Sequence, residues 1–378
     1  MKITARGLNR ASLARQLLLE RAPLGVAEGV RRVVALQAQH PGSPYVALWN
    51  RLDGLDPAEV DAVFAGREVV KATLMRITLH AVHAGDYRVF REALQRTLYG
   101  TRLGYRFAAT GLTPAEGEEL VPGLLAFAER PRSVAELRGW LAERVGEERA
   151  EGAWWGLRAY APLHHQPTGG PWSFGQRPSF VASGGAPVTG REEPPGALRE
   201  LVLRYLAGFG PGSVADVAQF AMVQRGPVRR VLTELGDGLE RLEGPDGTVL
   251  FDVPGAARPD GETLAPPRLL GMWDSVLLAY ADRARVIPAD YRKAVIRVNG
   301  DVLPTLLVDG YVAGVWRPAE GGIEARAFHV LPAGAWEGLA EEARSLHALL
   351  APRDPALYRR YDHWWTKLPE GHTRLLPG

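Results

Sequence analysis

The sequence predicts an α+β fold, mainly helical, in which one order of helices and hairpin recurs three times in tandem before a small C-terminal β unit. Three observations carry this. Apolar residues recur at three- and four-residue spacing through most of the first 235 positions, as one face of a helix requires. Alternating, turn-bearing runs follow helical stretches at 69–84 and 239–253. From residue 268 the texture changes to β-branched runs punctuated by Asn-Gly and Asp-Gly.

Asn9 and Ser12 are candidate caps for a first helix with Leu13, Leu17 and Leu18 on one face. Val26, Val30, Val33 and Val34 mark a second helix and Tyr45 to Leu52 a third, the order of a helix-turn-helix. Asp56 before Pro57 is an N-cap with proline at the first helical position, so another helix runs to about Gly66. "VVKATLMRITLHAVHA", residues 69–84, then alternates like paired strands. Arg76, Thr78 and His80 share one face of it, and Ile77, Leu79 and Ala81 share the other. Helices followed by a small hairpin make a winged helix.

The third occurrence is the most complete. Gly196 to Phe209 is amphipathic, Ser213 caps "VADVAQFAM", "GPVRRVLTELG" is a third helix, and "LERLEGPDGTVLFDV" is a hairpin turning at Pro245-Asp246-Gly247. In the middle occurrence "RSVAELRGWLAER" and "AWWGLRAYAPLHH" supply helices and "PWSFGQRPSFVAS" a strand pair. Boundaries fall best in 184–196 and 254–267. The expected organisation is therefore three winged-helix units, 1–110, 111–190 and 191–257, followed by a β-rich unit over 258–378. In that last unit Asn299-Gly300 and Asp309-Gly310 join three strands, "IEARAFHV" adds a fourth, and a helix near 334–350 follows, as in a small barrel-like unit.

The 378 residues, 46% hydrophobic, suffice for several packed cores. No window approaches 18 consecutive apolar residues and the basic start leads into no apolar run, so no membrane contact and a cytoplasmic location are expected. Without cysteine there is no disulfide, no thiolate metal site and no cysteine nucleophile. The net charge of +2 is unevenly spread. Residues 1–110 hold 16 Lys and Arg against 9 Asp and Glu, residues 111–200 hold 9 against 12, and the remainder 20 against 22. A basic N-terminal third is the asymmetry of a polyanion-facing domain. An arginine-rich composition drawn from a GC-rich genome produces the same charge without a function.

No P-loop, G-x-G-x-x-G, H-E-x-x-H or G-x-S-x-G occurs. His164-His165 and the His80/His83 pair lack an acidic partner at ligand spacing, so neither metal nor cofactor is expected. Asp274, Asp282, Arg283 and Arg285 read as a structural ion-pair network. Winged helices commonly bind duplex DNA. Arg225, Arg229 and Arg230 open the third unit's recognition-like helix, and Arg31 and Arg32 precede the triplet Gln37-Ala38-Gln39. With Arg76, Thr78 and His80 they are the candidate DNA contacts; a solvated basic face or a protein-binding surface fits the same residues.

The run "LNRASLARQLLLERAPLGVAEGVRRVVALQAQHPGSPYVALWNRL", then "LMRITLHAVHAGDY" and "DRARVIPADYRKAVIRVNGDVLPTLLVDGYVAGVWR", resembles the AlkZ-type family of bacterial winged-helix DNA glycosylases, in order and over nearly the whole chain. In that family a glutamine, an apolar residue and a second glutamine form the catalytic pattern. The resemblance thus implies Gln37 and Gln39 as catalytic residues. It implies tandem winged helices around a concave DNA-binding surface, with double-stranded DNA containing alkylated purines as partner. The implied reaction is monofunctional hydrolysis of N7- or N3-alkylpurine N-glycosidic bonds, bulky adducts and interstrand crosslinks included. Self-resistance to a genotoxic natural product such as azinomycin B is the implied setting. A non-enzymatic winged-helix DNA-binding protein or transcriptional regulator is the alternative, and an interaction scaffold a third.

The chemistry of the residues agrees with the enzyme. Alkylation at N7 makes guanine cationic and a good leaving group, so no strong general base is needed. Two neutral amides can hold a water at C1′ and aim its lone pair at an oxocarbenium-like sugar. On a regular helix residues i and i+2 point ~200° apart. Convergence of Gln37 and Gln39 therefore requires the helix to end there, and His40-Pro41-Gly42 is a terminator. Without that role the two amides are a polar helix end. Of the lysines, Lys2, Lys71, Lys293 and Lys367, only Lys71 lies near the pair in sequence, and no lyase step is expected. A crosslinked nucleotide does not rotate freely out of the stack, which argues against a tight base-flipping pocket. No heptad or long exposed apolar stripe favours assembly, so a monomer is expected.

Overall fold

The computed structural model describes residues 1–192 and 194–378; Glu193, inside the boundary stretch 184–196, lies outside the described residues. The first part of the chain runs α1 (Ala5–Arg15), α2 (Val26–Arg32), β1 (Leu36–Gln37), α3 (Ser43–Trp49), α4 (Pro57–Ala65), β2 (Val69–Thr73) and β3 (Leu79–His83). Asp56 caps α4 at Ala58 N, with Pro57 in the first turn and Gly66 at its end, as the sequence predicts. The start of α1 differs from expectation. Thr4 is its N-cap, accepting from Gly7 N at 3.0 Å, and Asn9 and Ser12 lie buried inside the helix. Their cap-forming oxygens serve other bonds: Asn9 Oδ1 accepts from Arg10 Nη1 at 2.6 Å and Ser12 Oγ accepts from Tyr280 Oη at 2.7 Å, while Asn9 Nδ2 donates to Arg285 O and Gly310 O.

The second part comprises α5 (Ala84–Ala93), α6 (Gln95–Arg102), α7 (Tyr105–Ala108), α8 (Pro114–Phe127), β4 (Arg132–Ser133), α9 (Val134–Val145), α10 (Glu147–Tyr160), β5 (Leu163–Gln166) and β6 (Ser179–Ala182). Capping boxes at Thr113/Glu116 and Ser133/Glu136 start α8 and α9. The strand pair expected within 171–183 does not form. Only Ser179–Ala182 is extended, and its partners are β5 and β4 rather than its own neighbour in sequence. The six-stranded sheet has the order β1-β3-β2-β5-β6-β4, so the first and second parts share one antiparallel sheet, joined where Lys71 faces His165.

The third part is α11 (Ala197–Phe209), α12 (Val214–Ala221), α13 (Arg225–Leu235), β7 (Glu240–Glu243) and β8 (Val249–Asp252), the helix, helix, helix, hairpin order expected. A buried Ser213/Asp216 capping box starts α12. α11 is the core of this part: Tyr205 and Phe209 bury their rings against Phe220 of α12. The buried Arg15 guanidinium donates to both Asp252 carboxylate oxygens at 2.7 and 2.8 Å and fastens α1 to β8. The N-terminal helix thus docks on the hairpin of the third repeat.

The last part holds β9 (Arg268–Leu270), α14 (Arg292–Val295), β10 (Thr305–Val308), β11 (Tyr311–Ala319), β12 (Gly322–Ala327), α15 (Ala333–Leu350) and β13 (His372–Pro377). These five strands form an antiparallel sheet in the order β13-β12-β11-β10-β9, open at both edges rather than closed as a barrel. Asp309-Gly310 turns β10 into β11, as expected. Asn299-Gly300 instead closes a short turn after α14, held by the single bridge Ile296 to Val302. The four charged residues form no network with one another among the described residues: Asp274 receives two bonds from buried Arg51 at 2.7 and 2.8 Å, Arg285 donates to Pro211 O and lies 3.9 Å from Asp216, Asp282 caps Ala284 N, and Arg283 makes no ion pair. Among the described residues no helix is long and apolar enough to cross a membrane.

Candidate active site

The two glutamines do not end a helix. α2 stops at Arg32, Val34 takes a left-handed conformation (φ 74°), and the chain leaves extended. Leu36 and Gln37 then pair with Ala81 and His80 of β3, and Ala38 N donates to Leu79 O at 2.8 Å. The open edge of the β2–β3 hairpin offers this segment a full set of backbone partners, which a frayed helix end lacks. The change of element removes the geometric obstacle posed by a helix: Gln37 lies on the strand and Gln39 in the bend that follows it.

Gln37 is 5% exposed. Its Oε1 accepts from Arg76 Nη2 at 2.8 Å, and its Nε2 donates to Thr78 Oγ1 at 3.0 Å. Arg76 is not on a strand face as alternation predicts; it sits with Ile77 in a tight turn between β2 and β3, both at positive φ. Such conformations are costly for side-chain-bearing residues and persist where contacts over-determine them. Here Arg76 also donates to Phe220 O at 3.1 Å, stands 5.6 Å from the Phe220 ring, and meets His80 Nε2 at 3.2 Å. Burial, with Arg283 nearby, lowers Arg76 to about 10, which leaves it charged at neutral pH.

His80 is fully buried, and desolvation together with the Arg76 charge pushes it down to about 3. It is neutral at neutral pH. Its Nδ1 lies 3.1 Å from Thr78 O, an acceptor, so Nδ1 carries the proton and Nε2 accepts from Arg76. Gln39 is exposed, and among the described residues its polar contact is Oε1 with Leu79 N at 3.5 Å. The next residue, His40, packs edge-on against Tyr358, ring centroids 4.9 Å apart, and more distantly against Tyr361. The C-terminal segment therefore packs against the residue that follows the pair. Lys71 is buried with its Nζ 4.4 Å from the Phe174 ring centroid, and burial lowers it to about 8.

A cleft of 1240 Å³ opens beside this constellation, between α6 and the α12–α13 turn. Arg76, Arg96, Arg191 and Arg225 line it over a floor that includes Leu103 and Ala218. Arg76 is the one residue common to the cleft and the bonded cluster around Gln37. The structure thus brings Gln37, Arg76, Thr78 and His80 together, with Gln39 at their exposed edge. Arg31 and Arg32 stand exposed on the last turn of α2, Arg31 4.0 Å from Asp86. Arg225, Arg229 and Arg230 are exposed on α13, of which only Arg225 reaches the cleft.

Sequence reasoning missed Phe220, Arg96, Arg191 and the contacts of His40 with Tyr358 and Tyr361. Phe220 acts through its carbonyl, which no side-chain pattern reveals; Arg96 and Arg191 lie among many arginines; the tyrosines are more than 300 residues from His40.

Chemically the cluster offers neutral amides, a fixed guanidinium and a hydroxyl, groups that can orient a water by hydrogen bonding and include no strong base, beside a cleft whose lining holds four arginines and Glu192. The relationships of the chain agree with that class. Residues 30–349 match the family model described as DNA glycosylase AlkZ-like, which makes the protein a DNA-acting enzyme that cleaves N-glycosidic bonds. The chain belongs to the AlkZ-like DNA glycosylase family. An interstrand DNA cross-link repair glycosylase of Streptomyces sahachiroi is 26% identical over 332 residues, spanning 84% of this chain and 88% of that protein. The solved structure of the Streptomyces sahachiroi DNA glycosylase AlkZ superposes with a TM-score of 0.79 at 22% identity, covering 92% of this chain and 97% of that one. That likeness establishes the shared fold.

Proposed function

We propose that the protein is a monofunctional glycosylase that hydrolyses the N-glycosidic bonds of N7- or N3-alkylated purines in duplex DNA, bulky adducts and interstrand crosslinks included. Gln37 and Gln39 hold the attacking water. The observation that carries this is the pair's placement: Gln37 is clamped by Arg76 and Thr78 on an extended segment, and Gln39 follows two residues later at the exposed edge. The cationic base departs without strong acid catalysis, so orientation of water at C1′ is the contribution that amides are suited to make. The crosslink-repair name of the 26% identical relative supports the bulky end of the substrate range.

In this reading the three helical repeats are winged helices around a concave surface. Arg31, Arg32, Arg225, Arg229 and Arg230 meet phosphates, and the protein works as a cytoplasmic monomer without cofactor or metal. The test is base release from duplexes carrying N7-methylguanine or an N7-linked crosslink. Wild type is expected to leave abasic sites. The Gln37→Ala, Gln39→Ala double variant is expected to bind the same duplex and release base slower by on the order of a hundredfold or more. Equal, negligible release by both with DNA binding retained would leave a DNA-binding regulator instead.

A further inference from the structure

We propose that Arg76 is a positioning residue: it fixes the Gln37 amide in one orientation, which makes Gln37 the donor to the attacking water and Gln39 the acceptor of its proton. This rests on the glycosylase reading above. The orientation follows from donor and acceptor matching. A guanidinium only donates, so the Gln37 atom 2.8 Å from Arg76 Nη2 is the carbonyl oxygen, and the amide nitrogen faces Thr78 Oγ1. Thr78 spends its own proton on Met75 O at 3.2 Å and keeps a lone pair for Gln37. Neutral His80, protonated at Nδ1 toward Thr78 O, presents Nε2 to Arg76 and holds it from the other side. The Arg76 contact decides the amide orientation, because a flipped amide would set its N–H against a donor, and the Thr78 contact is compatible with it.

The division of labour is electrostatic. Water attacking a sugar gains positive character, and its proton is driven away from an oxygen already bonded to a guanidinium. Donation into Oε1 polarises the same amide and strengthens its remaining N–H as a donor. Gln39 is the opposite case: it is exposed, and its Oε1 is 3.5 Å from Leu79 N, beyond good hydrogen-bond length. It is free to accept. In the step, the C1′–N bond breaks and its electron pair neutralises the cationic purine. The water oxygen bonds to C1′, and its proton passes through the Gln39 contact to bulk water. Cationic nucleotide plus water gives neutral base, abasic sugar and one proton.

Arg76 spends Nη1 on Phe220 O and Nη2 on Gln37 and His80, which leaves little for a phosphate. Because Phe220 belongs to α12, the third repeat sets the orientation of an amide in the first.

The experiment is single-turnover base release and duplex binding, on N7-methylguanine DNA, for Arg76→Met and Arg76→Lys, each alone and with Gln37→Ala. Arg76→Met is expected to slow release by at least about tenfold at saturating protein, with unchanged Kd and salt dependence, and Arg76→Lys to recover part of the rate. Combined with Gln37→Ala, Arg76→Met is expected to add no further loss, because it acts through Gln37. Gln39→Glu is expected to outperform Gln37→Glu by at least about tenfold, since a carboxylate accepts but does not donate. Weakened binding with a salt slope smaller by about one, and an intact saturated rate, makes Arg76 a phosphate contact and overturns the proposal. So does additivity with Gln37→Ala, or equal loss in the two Glu variants. If Arg76→Met fails to fold, the Arg76→Lys and paired Glu variants decide. Wild type releasing no base from any alkylated duplex overturns the glycosylase reading itself, and this inference with it.

Discussion

Burial holds several histidines of this chain neutral: desolvation lowers His80 and His165 to about 3 and His40 and His164 to about 4. Between those values and the ordinary 6.5, the unfolded chain binds protons that the native state refuses. Stability is therefore complete above about pH 6.5 and falls as pH drops toward the folded values. For fully buried His80 the loss at pH 5 is at most about 2 kcal/mol. Urea unfolding at pH 7 and pH 5 is expected to show a lower midpoint in acid. His164→Phe, which keeps the ring edge-on to Tyr87, is expected to reduce that difference. An unchanged midpoint would mean the histidines are not buried as described. At this scale the sequence was informative in a particular way. Alternation grouped Arg76, Thr78 and His80, and the three do converge, but through a left-handed turn at Arg76 that no residue pattern announces.

Among the elements, local chemistry predicted starts and stops well where it had no competitor. The Asp56-Pro57 start of α4, the Ser213 cap of α12 and the Asp309-Gly310 turn all form. The failures share a cause. Asn9 was drawn into bonds with Arg285 O and Gly310 O, Ser12 into one with Tyr280 Oη, and Gln37 onto a sheet edge, because a distant partner outweighed the local preference. Asn299-Gly300 and Asp309-Gly310 look alike in sequence, yet only the second has two strands to join. Gly310 carries a further constraint: at φ 80° a Cβ there would lie 2.4 Å from Asn9 Oδ1. Gly310→Ala is expected to destabilise the fold by more than about 1 kcal/mol, read as a lower denaturation midpoint. Gly300→Ala, at a similar φ with open space around it, is expected to cost less than Gly310→Ala.

For the whole molecule, the joins between repeats matter most. One sheet spans the first two repeats, Arg15–Asp252 ties α1 to the third hairpin, and buried Arg51–Asp274 ties the segment after α3 to the C-terminal part. The arginines exposed on α13 are among those available to a polyanion. Replacing Arg225, Arg229 and Arg230 by Ala is expected to weaken binding to damaged and undamaged duplex alike. The slope of log affinity against log salt should fall by ~0.9 for each phosphate that the variant no longer neutralises. An unaltered slope would remove α13 from the DNA interface.

By itself the sequence determined the helix-rich first 235 residues, the change to strands after residue 267, the absence of thiol chemistry and the Gln37-Ala38-Gln39 triplet, because spacing, caps and residue type are local properties. Only the tertiary structure decided that Gln37 sits on a strand with Gln39 in the bend after it, that Arg76 and Thr78 clamp Gln37, and that Phe220 of α12 steadies the clamp. Those outcomes depend on which distant backbone and side-chain groups arrive to satisfy one another, and that is settled when the repeats pack together.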